Sequence, residues 1–301
     1  MNGTCLAVVL PIVFAAVAMG ADDAGRVIVN VNGTTITAGD VAFAMATRQV
    51  TSENRAAREP KLIEELVDRQ LVREFLAKRK FTAPADELAF QIRQAEDVIK
   101  KHEKDPATFL SKLGYTPDRL KSELGLSLAW QAYVRHTITL PQTTEYFEQH
   151  RAELDGTQLR ARQIFLKRSS KPDESDIAAK TKRLKELRSQ IVAGKINFED
   201  AAKAHSESPT KEQGGDVGTF GFRGKLPSPV TRAAFDLKVN DISEPVVSTF
   251  GVHLIQVTER TPGELSLEDV RPQIMERLSD QLWADTVSRE RKTATIEFVK
   301  Q

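Results

Sequence analysis

Three stretches decide the fold: FEDAAKAHSES (residues 198–208), GGDVGTFGFRGKL (214–226) and AAFDLKVNDISEPVVSTFGVHLIQV (233–257), read together with ARQIFL at 161–166. ARQIFLK alternates as a strand does, and FGVHLIQVTER (250–260) is a clear final strand. Between them lie a helix with Ile177, Leu184, Leu187 and Ile191 on one side and a shorter one defined by Phe198, Ala201, Ala202 and His205. EQGGDVGTFGFRG is too rich in glycine for a regular element and reads as tight turns. PVTRAAFDL is a brief helix, and NDISEPVV a turn into an edge strand. Small helices interleaved with a few strands predict an α+β domain over residues 156–260.

Outward from this block both ends of the chain are helical in texture. Val27, Val29 and Val31 alternate with polar or smaller positions, and Asn32-Gly33 is a turn signal leading into TTIT. This predicts a hairpin, then a helix beginning near Asp40. Pro60 opens a helix whose apolar stripe is Leu62, Ile63, Leu66, Val67, Leu71, Phe75 and Leu76. Further helices are expected from Pro84 toward Lys104 and from Pro117 to Arg135, and residues 141–155, opening on Pro141, read as a connecting helix. Past Pro262-Gly263 comes a long helix with Val270, Ile274, Leu278, Leu282, Trp283 and Val287, then a short strand, ATIEFV. Neither piece is large enough to fold alone. Segment 264–301 must therefore pack on 26–155, completing a mainly helical domain into which 156–260 is inserted.

The length of 301 residues suits two domains. Lys+Arg is 43 against 42 Asp+Glu, so the chain lacks the global basic field that favours a nucleic-acid partner. Residues 5–19, CLAVVLPIVFAAVAM, form an apolar run about as long as a signal-peptide core and short of the roughly 20 residues of a membrane span. Ala18 and Gly20 hold the small-residue positions before a cut at Gly20/Ala21. Residues 1–20 are thus expected to be an export signal; left uncut, they would keep the protein near a membrane. Cys5, the single cysteine, lies inside this segment, so the rest of the chain can make neither disulfides nor thiolate metal sites.

The motifs quoted at the outset, in their order and spacing, resemble the parvulin family of peptidyl-prolyl isomerases over Ala161 to Arg260. The flanks, with VNGTTIT and ATIEFV, resemble the chaperone domain of SurA-like periplasmic foldases. The resemblance implies a four-stranded antiparallel sheet wrapped by helices, with a shallow cleft for a proline side chain, set into a SurA-like helical domain. It implies no cofactor and a location in the periplasm or another extracytoplasmic space. The implied partners are unfolded or partly folded polypeptides containing proline.

Rotation about an X-Pro bond faces a barrier of roughly 20 kcal/mol, and no bond to another atom is made. Neither nucleophile nor metal is needed. The site should be an apolar cup with polar groups that fit the twisted amide better than the planar one. The cup candidates are Val217, Phe220, Leu226, Val230 and Phe250. By resemblance Leu226, Val230 and Phe250 fall at proline-pocket positions, with Val230 replacing a usual Phe; all five also suit a core. His253 shares a strand face with Gly251, Ile255 and Val257 and matches the family's late histidine; packing and function are both open to it. Gln163 stands where the family has a histidine, and Ser208 where it has Cys or Asp. Ser248, by resemblance, supports His253 through its hydroxyl.

Gly214, Gly215, Gly218, Gly221 and Gly224 do not make a phosphate loop, because neither a Walker Lys-Ser/Thr pair nor the strand-loop-helix context is present. Asp216 and Arg223 read as rim residues. His102, His136, His150 and His205 lack a metal-ligand spacing. Two readings of the domain remain: an isomerase acting on X-Pro bonds of unfolded exported proteins, or a weakly active or inactive binding module in a chaperone.

Overall fold

The computed structural model describes residues 21–48, 50–102, 105–112, 116–169 and 174–299. The expected signal, residues 1–20, lies outside them. The chain divides into two compact units, one made of its start to Leu140 together with Met275 onward, the other of Pro141–Ile274.

In the first unit β1 (Val27–Val31) and β2 (Thr34–Thr37) form a hairpin, and β7 (Ile296–Phe298) lies antiparallel on the other side of β1. The turn has φ of 49° at Asn32 and 88° at Gly33, the left-handed pair that a two-residue hairpin loop requires. Asn32 also fixes the far end of the chain. Its N–H donates to Thr295 O and its side-chain oxygen accepts from Thr295 N, both at 2.9 Å. Thr37 and Asp40 form a capping box that starts the helix Ala38–Thr47.

Helices Arg55–Lys78, Ala85–His102, Pro106–Lys112 and Pro117–Thr137 follow. The first of these begins before Pro60, which sits inside it and does not open it. The long helix Leu267–Arg291 adds Met275, Leu282, Trp283 and Val287 to a core containing Val72, Phe75, Leu76, Leu126 and Trp130. Trp130 donates from Nε1 to Ser279 Oγ at 3.0 Å and meets Trp283 edge-on at 4.9 Å. Buried indoles need such a partner for the N–H. The two ends of the chain thus share one sheet and one core.

The second unit is built on β3 (Gln158–Lys167), β4 (Asp216–Gly221), β5 (Val246–Val247) and β6 (Gly251–Thr261), all antiparallel in the order β4-β3-β6-β5. Alternate residues divide between two layers. Ile164, Leu166, Val252 and Leu254 pack with the helices Glu174–Val192 and Phe198–His205. Leu159, Ala161, Ile255 and Val257 pack with the helix Ser228–Phe235. The sheet is therefore covered on both faces.

Three expectations change here. The glycine-rich stretch does contain a strand, β4, because β3 offers a complete antiparallel ladder and ladder bonds use backbone, not side chains. The domain's boundaries also move, from 156 back to Pro141 and from 260 on to Ile274, so of the segment 264–301 only Met275 onward belongs with the first unit. Ala152 packs on the Leu159–Val257 core, and Asp155 O accepts from Leu265 N at 2.9 Å, so the segments flanking the sheet belong with it. The expected connecting helix is two, Leu140–Gln149 and Arg151–Leu154.

Candidate functional site

The site forms where β4 parts from β3. The ladder between them shifts register between Ala161 and Arg162, and beyond it the loop after the helix Phe198–His205 takes over the exposed edge. Gln163 N donates to Gly215 O at 2.9 Å, and Phe165 N to Ser206 Oγ at 3.0 Å. Glu207 N returns to Phe165 O at 2.7 Å. This edge pairing carries Ser208 alongside Gln163.

Register brings the rest together. Phe165 lies opposite His253, and His253 opposite Val246, so these residues form a row across β3, β6 and β5 on the face shared with Ile255. Gln163 is diagonal to His253 on that face. The Phe165 and His253 rings stack with centroids 4.6 Å apart and planes at 29°.

A chain of hydrogen bonds runs beneath this row. Ser248 Oγ is 2.8 Å from His253 Nε2, and His253 Nδ1 is 3.3 Å from Gln163 Oε1. Gln163 Nε2 donates to Ser208 Oγ at 3.2 Å, and Ser208 Oγ lies 3.0 Å from Thr210 Oγ1. Phe250 N closes the other end, donating to Ser248 Oγ at 3.1 Å. A neutral imidazole donates through one ring nitrogen and accepts through the other, so His253 can bond Gln163 and Ser248 at once. His253 is only 4% exposed, and burial pushes its pKa down to about 4. The ring is neutral at physiological pH, as are Gln163 and the hydroxyls. The network is polar but carries no charge.

The apolar cup differs from the sequence expectation. Val230 is 0% exposed and, with Val217 and Phe220, belongs to the core formed with Leu159, Ala161, Phe235 and Ile255. A valine on the helix Ser228–Phe235 is too short to rise past its neighbours to the rim, so it fills space beneath. Leu226 is half-buried and packs on this core from outside, as do Phe222 and Val246. Phe250 stands out at 64% exposure in the turn before β6. The accessible apolar groups around His253 are thus Phe165 and Val246, with Leu226 and Phe222 on the adjoining core.

Sequence reasoning missed Phe165, Val246 and Thr210. Phe165 was within reach of it, two positions from Gln163 in an alternating strand, whereas Val246 needed the β5–β6 register. Of the rim residues, Asp216 pairs with Arg160 at 2.7 Å and accepts from Gly218 N. The Arg160 hydrogen bond, outweighing the effect of burial, holds the Asp216 carboxyl below its usual range. Arg223 is exposed, and His205 lies 3.5 Å from the Arg183 guanidinium.

Comparison with known proteins agrees with this domain. Residues 164–259 match the PPIC-type PPIASE domain of the rotamase family. The chaperone SurA of a Polaromonas species is 39% identical over 127 residues, 41% of this chain and 26% of that protein, so the chain spans about a quarter of that relative's length. The foldase protein PrsA 4 of Bacillus cereus is 26% identical over 227 residues, 73% of this chain and 72% of the relative. A peptidyl-prolyl cis-trans isomerase of Arabidopsis thaliana is 44% identical over 80 residues, 27% of this chain and 66% of the relative. The chain therefore carries a parvulin-type domain within a scaffold that shares sequence with SurA and PrsA.

Proposed function

We propose that this chain, a parvulin-type domain carried in a SurA/PrsA-like helical scaffold, is an exported foldase that holds unfolded polypeptides and slowly isomerises their X-Pro bonds. The observation that carries the reading is the uncharged chain Ser248–His253–Gln163–Ser208 lying under half-buried apolar side chains. A proline ring seats on Phe165, Val246 and Leu226, with exposed Phe250 beside the entrance. His253, Gln163 and Ser208 shape the polar floor, and Ser248 holds His253.

Catalysis in this reading comes from fit to the twisted amide, since rotation breaks resonance without moving an atom to a new partner. The Gln163 amide has two N–H donors, and Ser208 takes one. Among the described residues the second is not engaged, and it is the donor offered to the substrate amide as its nitrogen loses conjugation. A neutral amide stabilises that change less than a charged or imidazole donor does, and Val230 leaves a shallower seat. Both favour modest rates, and binding without useful turnover is the second reading. Export follows from the apolar N-terminus and the kinship with SurA and PrsA. Unfolded, proline-containing chains are the proposed partners.

The holding function is tested by excision. Asp155 O and Leu265 N are hydrogen-bonded, so removing residues 156–262 joins backbone that is already adjacent. The remaining protein should keep most of its suppression of client aggregation and lose all isomerase activity. Loss of suppression with the helical domain still folded would place holding in the parvulin-type domain and refute this division of labour.

A further inference from the structure

Ser206 takes no part in the proposed seat or floor, yet one of its atoms is bonded to both. The ladder between β3 and β4 stops at Arg162, and past it three N–H groups on this edge of β3 still need acceptors. Gln163 N finds Gly215 O at 2.9 Å, Phe165 N finds Ser206 Oγ at 3.0 Å, and Lys167 N finds the Glu207 carboxylate at 2.7 Å. Ser206 Oγ also accepts from Ser208 N at 3.2 Å. Both donors are backbone amides, which can only donate, so the hydroxyl oxygen accepts twice whichever way its own proton points. Its place is set from behind. Ser206 closes the helix Phe198–His205, its N–H donating to Ala202 O at 2.9 Å, and Ala201 and Ala202 are buried in the core with Ile164 and Leu166.

We propose that Ser206 is a positioning residue: its hydroxyl oxygen ties Phe165 on β3 to Ser208 on the facing loop and so fixes the spacing between the apolar seat and the polar floor. Each tie reaches a different part of the site. Phe165 carries the ring stacked on His253, and Ser208 Oγ lies 3.2 Å from the Gln163 side-chain amide. Without the oxygen, the Phe165 and Ser208 N–H groups lose their shared acceptor. Ser206 is 6% exposed and Ser208 3%, so bulk water is a poor substitute there. Glu207 N still reaches Phe165 O, which keeps the loop attached while Ser208 is free to swing from Gln163. The domain should therefore fold without this oxygen, with seat and floor out of register. The consequence for rate rests on the isomerase reading; the spacing is a property of the resting protein.

The test compares the full chain carrying Ser206→Ala with two others: Ser206→Thr, which keeps the hydroxyl, and Gly194→Ala, which strains a turn with open space around it in the same unit. Urea unfolding first fixes conditions in which each protein is folded. Per folded molecule, Ser206→Ala should lose about tenfold in kcat/KM, the size expected of a sub-ångström displacement at the reacting centre. Its His253 ring-proton resonances should also shift, because they lie in the ring current of the stacked Phe165. Ser206→Thr and Gly194→Ala should match the parent in both readouts, although Gly194→Ala unfolds in less urea. Ser206→Cys, whose sulfur is a weaker acceptor, replaces the alanine variant if that one fails to fold. A folded alanine or cysteine variant that keeps the parent kcat/KM or the parent His253 shifts overturns the proposal. So does a threonine variant no better than alanine, or a Gly194→Ala that moves both readouts as far. If the parent isomerises no peptide, the isomerase reading fails, while the His253 shifts still decide the role of Ser206.

Discussion

Gly215→Ala should destabilise the parvulin-type unit by about 4 kcal/mol and abolish whatever its site does. Gly215 has φ +80°, and a Cβ placed there would lie 2.3 Å from Gln163 O and 3.2 Å from Ala202 Cβ. The first contact is backbone, so it cannot be relieved by turning a side chain. Either β3 or the 214–216 loop must shift, and the Gln163 N–H to Gly215 O bond goes with it. Gly194→Ala is the control. Its φ is +69° with nothing within 4 Å of the new Cβ, so it carries the left-handed strain without the collision, about 1–2 kcal/mol. Urea unfolding of both variants separates the contributions. A Gly215→Ala midpoint no lower than that of Gly194→Ala would show that the close approach is not as described.

The second large effect is acid sensitivity set by His253. Its folded pKa is about 4, below the 6.5 of an unfolded imidazole. Between those values the unfolded chain binds the proton and the folded one does not, so stability rises with pH across that window. The contribution is fully present above about pH 6.5 and lost as pH falls toward 4. Between pH 8 and pH 5 the loss should be ~2 kcal/mol, at 1.36 kcal/mol per pKa unit. His253→Gln cannot take up a proton, so the difference in pH dependence between it and the parent isolates this group from the carboxylates. Parallel curves would mean that His253 is solvated. For the same reason isomerase activity should be flat above about pH 5, because no other member of the polar chain titrates there.

Local chemistry made much of the fold readable. Asn32-Gly33 has one common use between alternating residues, and Pro84 and Pro117 mark helix starts because a first turn leaves the N–H that proline lacks unpaired. His253, Gln163 and Ser208 could be singled out from their motifs. What stayed hidden depends on pairing between distant segments. β4 has poor strand propensity, and only the waiting edge of β3 makes it a strand. Phe165 and Val246 meet His253 through register, which no local periodicity encodes. The depth of Val230 depends on how far the helix Ser228–Phe235 stands from the sheet. The start of the second unit at Pro141 reflects bonds from Asp155 across to Leu265, and the helix Arg55–Lys78 begins a turn before Pro60, whose ring it carries in its first turns.

Slow turnover at an uncharged site is the centre of this account, and a cis/trans assay on a panel of X-Pro peptides meets it head-on, with the parent run beside a Leu226→Ala/His253→Ala double variant. The parent should accelerate interconversion in proportion to its concentration, with kcat/KM below the 10⁴ M⁻¹ s⁻¹ or so at which typical enzymes begin. The folded double variant should not. No acceleration by the parent at its highest soluble concentration, or equal acceleration by both proteins, would contradict it.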